Sequence, residues 1–260
     1  MATAQVDGIE ISYEAVGDPT TPRGQCILYV HGTGCHGRVF ERHMNAVAAA
    51  HTPVALDLPG HGRSGGPAFR GVADYAHYAV GLAAQLGWER FVIAGHSLGG
   101  GIALAAAIYH PKQISGMLLI DTGARLRVHP TILESARLEA EGKPPIPMDP
   151  NFAYAKSTPQ SLIDEIEASI GKRDPAVVYT DWIADDSCDF LSRLKAIETP
   201  TLAICGAEDR LTPPKYHEYL QQKMPDCRLE VIPDAGHWTY YEQPEAFDRA
   251  VLAFLDTLPA

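Results

Sequence analysis

Six short runs of the chain place apolar side chains at nearly every consecutive position. Consecutive apolar positions leave neither face of a strand polar, which is typical of strands buried inside a parallel sheet. These runs are residues 26–30, 54–56, 91–94, 117–120, 202–205 and 229–232. Ahead of them, residues 9–16 alternate between apolar and polar positions, and this pattern predicts an antiparallel strand at the sheet edge.

Helical spacing of apolar residues fills most of the intervals between these runs. Residues 74–86 repeat apolar positions at helical intervals and stop before Gly87, a residue suited to end a helix. Residues 214–224 and 245–258 show the same spacing, and residues 100–107 form a helix of small side chains. Strands that alternate with helices predict an α/β fold with a mainly parallel central sheet and helices on both of its faces.

One region interrupts the alternation, because no core strand is predicted between about residues 125 and 193. A proline-rich loop at residues 144–150 follows the first of its helical stretches, which are 131–141, 159–170 and 175–184. The strand pattern resumes at Thr201. Long insertions are commonly functional, so we predict a core of residues 1–124 and 194–260 that carries residues 125–193 as a helical cap.

Composition and charge narrow the range of partners. The 260 residues are 46% hydrophobic and 20% charged, which is ordinary for a folded domain with a substantial core. A net charge of −11 repels phosphate backbones and anionic lipids, so we expect no nucleic acid and no membrane partner. The first residues show no secretory pattern and no apolar run is long enough to span a bilayer, which predicts a cytoplasmic protein. Nothing in the sequence indicates an oligomeric state.

The cysteine and histidine patterns predict neither disulfides nor a metal site. An odd number of cysteines cannot pair completely, and the chain has no C-x-x-C pair, so we expect free thiols at Cys26, Cys35, Cys188, Cys205 and Cys227. Cys35 lies beside a predicted active-site loop, and a reactive thiol there is a minor alternative. Neither an H-E-x-x-H pattern nor a G-x-x-x-x-G-K-[ST] phosphate loop occurs, so no metal and no cofactor is predicted.

The segment G-H-S-L-G at residues 95–99 is the most informative motif of the chain. It lies between the apolar run 91–94 and the small-residue helix, which is the strand–turn–helix context of a nucleophile elbow. In such a turn the serine backbone is strained and its hydroxyl is lifted above the sheet. Strand and helix pack closely there, and Gly95 and Gly99 stand where a Cβ atom has little room. Ser97 is therefore the predicted nucleophile.

A serine hydroxyl needs a base within hydrogen-bond reach and a group that orients the base. Among the eleven histidines, His237 is the predicted base because it follows the last predicted strand. Asp209 lies on the loop after the preceding strand and is the predicted orienting acid, since the order Ser…Asp…His is expected after such an elbow. Glu208, Asp121 and Asp234 are the alternative acids.

Attack on a carbonyl creates an oxyanion, which needs preorganised hydrogen-bond donors. One predicted donor is the backbone N–H of Leu98, directly after the nucleophile. The second is expected from the H-G-T-G loop at residues 31–34, where the Thr33 N–H is favoured because glycines on both sides let the loop bend inward. His31 is expected to be structural rather than catalytic.

With these motifs in place, the chain resembles the α/β-hydrolase superfamily, and within it serine carboxylesterases with a helical lid. The resemblance runs from about residue 9 to residue 258. Its motifs are H-G at 31–32, D-L-P-G-H-G-R-S at 57–64, the Ser97 elbow, the Asp209 loop and G-H at 236–237. It implies two-step acyl transfer on a small-molecule ester by an enzyme that needs no metal or organic cofactor.

The fold hosts many chemistries, so the motifs specify the substrate less well than the fold. Haloalkane dehalogenases and epoxide hydrolases of similar fold carry aspartate at the elbow, which argues against both. Carbon–carbon bond hydrolases of the meta-cleavage type share the triad and lid, but commonly have asparagine and methionine where this chain has His96 and Leu98. The same motifs are also compatible with an enol-lactone hydrolase, a cofactor-free perhydrolase or a non-catalytic binding protein on this scaffold.

Aromatic residues around the predicted site favour an apolar acyl or aryl group in the substrate. The residues expected to contact substrate are Phe40, Tyr179, Trp182 and Trp238. Arg125 and Arg127 stand at the start of the predicted cap, where they either bind a substrate carboxylate or anchor the cap's first hinge.

Overall fold

The fold is known from a computed structural model that describes residues 2–259, so the two terminal residues of the predicted core lie outside the described residues. The strands are β1 (Ala2–Val6), β2 (Ile9–Ala15), β3 (Cys26–Val30), β4 (Thr52–Leu56), β5 (Phe91–His96), β6 (Ile114–Ile120), β7 (Thr201–Gly206) and β8 (Cys227–Ile232). They form one sheet in the order β1-β2-β4-β3-β5-β6-β7-β8. Pairing is parallel from β4 to β8 and antiparallel where β2 contacts β1 and β4.

Helices connect most of the strands of the described chain. They are α1 (Glu41–Val47), α2 (Val72–Gln85), α3 (Leu98–Tyr109), α4 (Pro130–Ala140), α5 (Gln160–Ile170), α6 (Pro175–Ser187), α7 (Pro214–Lys223), α8 (Thr239–Glu242) and α9 (Pro244–Leu255). The sequence pattern predicts all of them except the short helices α1 and α8.

Helices cover both faces of the sheet, as the alternation of elements predicted. Successive residues of a strand point to opposite faces, so a central strand contributes to two cores. In β3, Leu28 and Val30 pack in the core that includes residues of α2 and α3, whereas Ile27 and Tyr29 pack in the core that includes residues of α1 and α9. The predicted α/β fold is therefore confirmed.

The two edges of the sheet differ from the sequence-based prediction. The alternating segment 9–16 contains β2, but β2 is not the edge strand, because the unpredicted β1 pairs outside it. At the opposite edge, β8 was expected to be buried on both faces, and this was wrong. Its residues Arg228, Glu230 and Val231 are exposed, and β8 is the last strand of the sheet, paired on one side with β7.

Residues 125–193, which we call the inserted segment, lie between β6 and β7 and contain α4, α5 and α6. The ends of the segment meet at a single β-bridge between Arg125 and Asp189. The Arg125 Nε also donates a hydrogen bond to Asp189 Oδ2 over 2.9 Å. The segment thus leaves and re-enters the sheet at neighbouring points, beyond the carboxyl end of β6.

Candidate active site

The turn between β5 and α3 has the strained geometry that the sequence predicted. Ser97 adopts φ 55° and ψ −118°, a conformation that costs energy for any residue with a Cβ atom. A Cβ atom on Gly95 would lie 1.9 Å from the Gly99 carbonyl oxygen, and one on Gly99 would lie 2.1 Å from the Val30 carbonyl oxygen. Glycine is therefore required at both positions for α3 to pack this closely on the sheet.

His237 and Asp209 form a buried hydrogen-bonded pair at the carboxyl ends of β7 and β8. The His237 Nδ1 lies 2.9 Å from Asp209 Oδ2, and the two residues are 5% and 3% exposed. Asp209 accepts further hydrogen bonds from the amides of Leu211 and Thr212, at 2.8 and 3.0 Å, and from the Thr212 hydroxyl at 2.7 Å. These donors fix the carboxylate in one orientation, and it in turn holds the imidazole ring.

Burial and mutual attraction shift the pKa values of Asp209 and His237 in opposite directions. Burial alone raises the pKa of a carboxyl and lowers that of an imidazole, because it penalises the charged forms. In both residues the attraction between the Asp209 carboxylate and the His237 ring outweighs burial, so the pKa of Asp209 is lowered and that of His237 is raised. Since an ionised carboxylate only accepts hydrogen bonds, the Nδ1 atom of His237 carries the proton and Nε2 is left free to act as a base.

The alternative acids do not occupy this place. Asp121 accepts hydrogen bonds from the Gly206 amide at 3.0 Å and the Thr239 hydroxyl at 2.7 Å, and burial raises its pKa to about 7. Glu208 accepts from the backbone N–H of Lys156. Asp234 lies exposed in a turn with φ 55°. Of the four acids, Asp209 is the one whose carboxylate hydrogen-bonds the ring of His237.

The 31–34 loop lies directly against the elbow. A Cβ atom on Gly32 would approach the Ser97 Cβ to 3.0 Å, so the loop passes as close to the serine as glycine permits. Within residues 2–259, neither the Thr33 N–H nor the Leu98 N–H donates to a protein acceptor. The Leu98 amide belongs to the first turn of α3, where backbone N–H groups have no partner within the helix.

Two further residues near the elbow, His31 and Cys35, are not assigned a catalytic role. The His31 ring lies 2.9 Å from the Gly32 carbonyl through Nδ1 and accepts from the Leu58 N–H at 3.1 Å through Nε2, as expected of a structural residue. Burial and the neighbouring His61 lower its pKa, so the ring is neutral. Burial raises the pKa of the Cys35 thiol to about 12, which removes it as a nucleophile.

A cavity of about 780 Å³ opens onto Ser97 and His237. Trp182 and Trp238, two of the residues expected to contact substrate, line it together with Thr33. Further apolar walls come from Leu126, Ile132, Met148, Phe152 and Tyr154, and charged side chains from Arg127, Arg173, Arg210, Asp149, Glu167 and Asp185. All of these further residues except Arg210 belong to the inserted segment.

Two of the four residues expected to contact substrate are absent from the cavity wall. Phe40 is fully buried and packs on Tyr29 and Tyr240, with ring centroids 5.1 and 5.2 Å apart, so its aromatic surface belongs to the core. Tyr179 lies on α6 but does not line the cavity. The expectation for Phe40 and Tyr179 is therefore corrected.

Comparison with known proteins identifies the family. The model of the Alpha/beta hydrolase family matches residues 27–250 of this chain. The chain belongs to this family. The matched residues run from β3 into α9, so they include Ser97, Asp209 and His237.

The relatives of this alpha/beta hydrolase include an esterase and another hydrolase. It is 30% identical over 246 residues to a pimeloyl-[acyl-carrier protein] methyl ester esterase of Neisseria meningitidis serogroup B, covering 88% of this chain and 92% of that protein. It is 29% identical over 266 residues to a 2-hydroxy-6-oxononadienedioate/2-hydroxy-6-oxononatrienedioate hydrolase of Burkholderia vietnamiensis, covering 96% and 92% of the two chains. The chain spans only 12% of the length of another relative, polyketide synthase ThaQ of Burkholderia thailandensis.

The fold of the hydrolase is shared with solved structures of the same family. The structure of a thermophilic esterase superposes with a TM-score of 0.83 at 30% sequence identity, covering 99% of this chain and 98% of the other. The described residues hold no cluster of three or more potential metal-ligating side chains. None of the described helices combines the length and apolar character needed to cross a bilayer.

Two buried carboxyl groups of this hydrolase, which the sequence pattern did not predict, lie near the elbow. Asp181 and Asp185 of α6 are 0% and 3% exposed, although charged side chains are usually solvated. Their spacing of four residues, which places both on one face of the helix, was the available signal.

Proposed function

We propose that this hydrolase cleaves carboxylic esters of small to medium acyl chain through an acyl-enzyme on Ser97. One observation carries the proposal: the buried Asp209–His237 pair opens onto the same cavity as a serine held on a strained elbow. A hydroxyl in such a place has a base to take its proton and a carboxylate to stabilise the imidazolium that results. The esterases among its relatives support the same reaction.

The proposed reaction has two steps. In the first, the Ser97 hydroxyl oxygen attacks the ester carbonyl carbon while His237 Nε2 takes its proton, and the alcohol then leaves with that proton. In the second, water attacks the acyl-enzyme, His237 takes a proton from the water, and Ser97 regains its proton as the carboxylic acid departs. Asp209 stays ionised throughout and balances the transient charge of His237.

The Thr33 and Leu98 amides are the proposed oxyanion donors. Both lie beside Ser97 and donate to no protein acceptor within the described residues. A carbonyl oxygen gains negative charge only as the serine attacks, so fixed donors at that point stabilise the transition state more than the ground state.

The inserted segment, residues 125–193, is the proposed cap over the cavity, carried by a core of the remaining residues. Most of the cavity wall belongs to it, including the apolar side chains that face the site. Trp182 from this segment and Trp238 from the core are proposed to contact the acyl group, because burying an apolar chain against them contributes roughly 25 cal/mol for each Å² removed from water.

The test is a series of initial rates on p-nitrophenyl esters from acetate to palmitate. We expect rates to peak at short or medium chains, the acyl range of the proposal, and the chain length of the fastest ester shows how much of the cavity of about 780 Å³ an acyl group fills. Absence of turnover at every chain length, relative to Ser97→Ala, would contradict the ester specificity.

A second candidate reaction is hydrolysis of a carbon–carbon bond in a meta-cleavage product. This candidate is supported by the hydrolase from Burkholderia vietnamiensis named above, which aligns with nearly the whole chain at 29% identity. A vinylogous 1,5-diketone of that class, supplied in place of the esters, distinguishes the two reactions by the loss of its visible absorption.

The Arg125→Ala variant is expected to retain ester turnover within tenfold of the wild type, a change of less than about 1.4 kcal/mol in the barrier. Arg125 pairs with Asp189 where the inserted segment begins and ends, its side chain is 44% exposed, and it does not line the cavity. Steady-state rates on a neutral ester measure the effect. A larger loss would place Arg125 in the substrate site.

A further inference from the structure

One face of α6 rests on the 31–34 loop. Val178, Asp181 and Asp185 recur at intervals of three and four residues, so their side chains leave the helix on the same side. A Cβ atom on Gly34 would lie 2.7 Å from Val178 Cγ2, which shows how closely the helix approaches the loop. The two aspartates then contact consecutive residues of that loop.

Asp181 attaches α6 to the core through a carboxylate whose two oxygen atoms both accept hydrogen bonds. Its Oδ2 accepts hydrogen bonds from the Gly34 N–H at 2.8 Å and from His61 Nε2 at 2.7 Å. Its Oδ1 accepts from the Tyr75 hydroxyl at 2.9 Å. Burial alone would lower the pKa of His61, but the contact with Asp181 outweighs burial, so that pKa is raised.

Asp185 is different, because half of its carboxyl group has no partner. Its Oδ2 lies 2.7 Å from the Thr33 hydroxyl, whereas its buried Oδ1 atom makes no hydrogen bond within the described residues. The residue lines the cavity that holds Ser97, yet the proposed acyl-transfer steps do not use it. Native proteins rarely keep such an unsatisfied buried group without a reason.

The neighbours of Thr33 explain what this contact can do. Thr33 stands between two glycines, Gly32 and Gly34, and Gly34 has φ 65°. Glycine restricts the backbone least of all residues, so the loop's own conformational preferences do not fix the direction of the Thr33 N–H. A side-chain hydrogen bond from Thr33 to a buried group on a packed helix supplies that restriction.

We propose that Asp185 is a positioning residue for the oxyanion hole. From its place on α6, Asp185 holds Thr33 so that the Thr33 N–H points at the developing oxyanion. The inference rests on the proposed function, because it gives the Thr33 amide the role assigned there. It makes the inserted segment part of the catalytic apparatus as well as a wall of the cavity.

The electrostatics of Asp185 suit this role. Burial, with a smaller contribution from Asp181, raises its pKa to about 8, although the Thr33 hydroxyl acts in the opposite direction. The charged or titratable groups around it are Asp181 and Asp186 on α6, His237, Tyr75 and Cys188. A neutral carboxyl at neutral pH places no negative charge beside an oxyanion, and it tolerates an unpartnered oxygen better than a carboxylate does.

A double-mutant cycle on Thr33→Val and Asp185→Ala tests the proposal. Two rates are measured for each variant: kcat on the best p-nitrophenyl ester, and the rate constant for phosphonylation of Ser97 by a fluorophosphonate, in which the serine oxygen displaces fluoride. The second rate needs the nucleophile and the oxyanion donors but no particular ester. Thr180→Val is the matched control, because it makes the same chemical change at a hydroxyl that donates only to Ala176 of its own helix.

We expect each single variant to lose about 10- to 100-fold in both rates, less than the roughly 100- to 1000-fold cost of deleting an oxyanion donor outright. The KM should change less than threefold, since the lost interaction matters in the transition state. The double variant should be no slower than the slower single one, because both changes remove the same contact. Asp185→Asn should stay within threefold of the wild type, since its amide oxygen still accepts from Thr33.

Several outcomes overturn the proposal. Effects that multiply in the double variant would show that the two residues act independently, and losses confined to KM would show a role in substrate binding. Thr33→Val keeps the backbone and leaves Asp185 in place, so a phosphonylation rate equal to that of Thr180→Val contradicts the proposal even if Asp185→Ala fails to fold. A wild-type protein that is phosphonylated but cleaves no ester contradicts the ester function alone. A wild type that is not phosphonylated contradicts both.

Discussion

Ser97→Ala should yield a folded protein whose ester turnover falls by about 10⁴- to 10⁶-fold, to near the background of the assay. The covalent step of the proposed reaction depends on one oxygen atom, and no neighbouring group replaces it, because the Cys35 thiol is protonated. Alanine keeps the Cβ atom, so the strained backbone at φ 55° is no harder to form than with serine. Initial rates on the best p-nitrophenyl ester measure the loss.

The control for this variant is Ser192→Ala, the same substitution at an exposed serine of the inserted segment. It should show wild-type turnover, and thermal unfolding of both variants should lie close to that of the wild type. A Ser97→Ala protein that unfolds normally and still hydrolyses the ester well above background would show that another group performs the attack.

The central sheet and the elbow were predictable because their sequence signals are local. Buried parallel strands need apolar residues on both faces, and β3 through β7 have them. At the elbow, only glycine fits where a Cβ atom would meet a carbonyl oxygen at about 2 Å, so Gly95 and Gly99 follow directly from the packing of α3 on the sheet. Each inference depended on a short stretch of chain and its immediate neighbours.

The edges of the sheet were harder to predict, because exposure changes the pattern of a strand. In β1 only Val6 is buried, so its sequence carries little hydrophobic signal. In β8 the alternation of Arg228 and Glu230 with apolar residues reflects a strand exposed at the edge, and the apolar run there was interpreted as buried.

Contacts between distant segments could not be derived from local patterns at all. Phe40 lies close in sequence to the 31–34 loop, but its ring stacks on Tyr240, about 200 residues away in sequence. The ring therefore does not line the cavity. Asp181 and Asp185 look like surface residues until α6 is placed against the 31–34 loop. The residues that line the cavity and position its groups are therefore the part of the site that needed the structure.

Asp209→Asn should lower ester turnover by about 10⁴-fold while leaving the fold intact. Asparagine has nearly the same shape, and its side-chain oxygen still accepts from the Leu211 and Thr212 amides. With those bonds kept, its NH₂ group turns toward the Nδ1 atom of His237 and favours the tautomer whose proton is on Nε2. That tautomer cannot take a proton from Ser97, and the imidazolium loses the carboxylate that stabilises it.

The pH profile of the variant separates this role from a merely structural one. In the wild type the Asp209 carboxylate outweighs burial and raises the pKa of His237, so activity should rise with pH as that ring loses its proton. Without the carboxylate, the effect of burial is no longer outweighed, and the pKa of His237 falls. The residual activity of Asp209→Asn should therefore begin to rise at a lower pH. A change that only loosened the fold would reduce the rate without moving the profile in this direction.

Glu208→Gln is the matched control, because it makes the same change from acid to amide at the neighbouring residue, whose carboxylate accepts from Lys156 and does not contact His237. It should retain turnover within about threefold of the wild type and an unchanged pH profile, since solvent screens a half-exposed charge that does not contact the ring of His237. The opposite pattern, with Glu208→Gln inactive and Asp209→Asn near full activity, would assign the orienting acid to Glu208. Near-full activity in both would direct the search to Asp121, the buried carboxyl that bonds Gly206 and Thr239 beside the His237 loop.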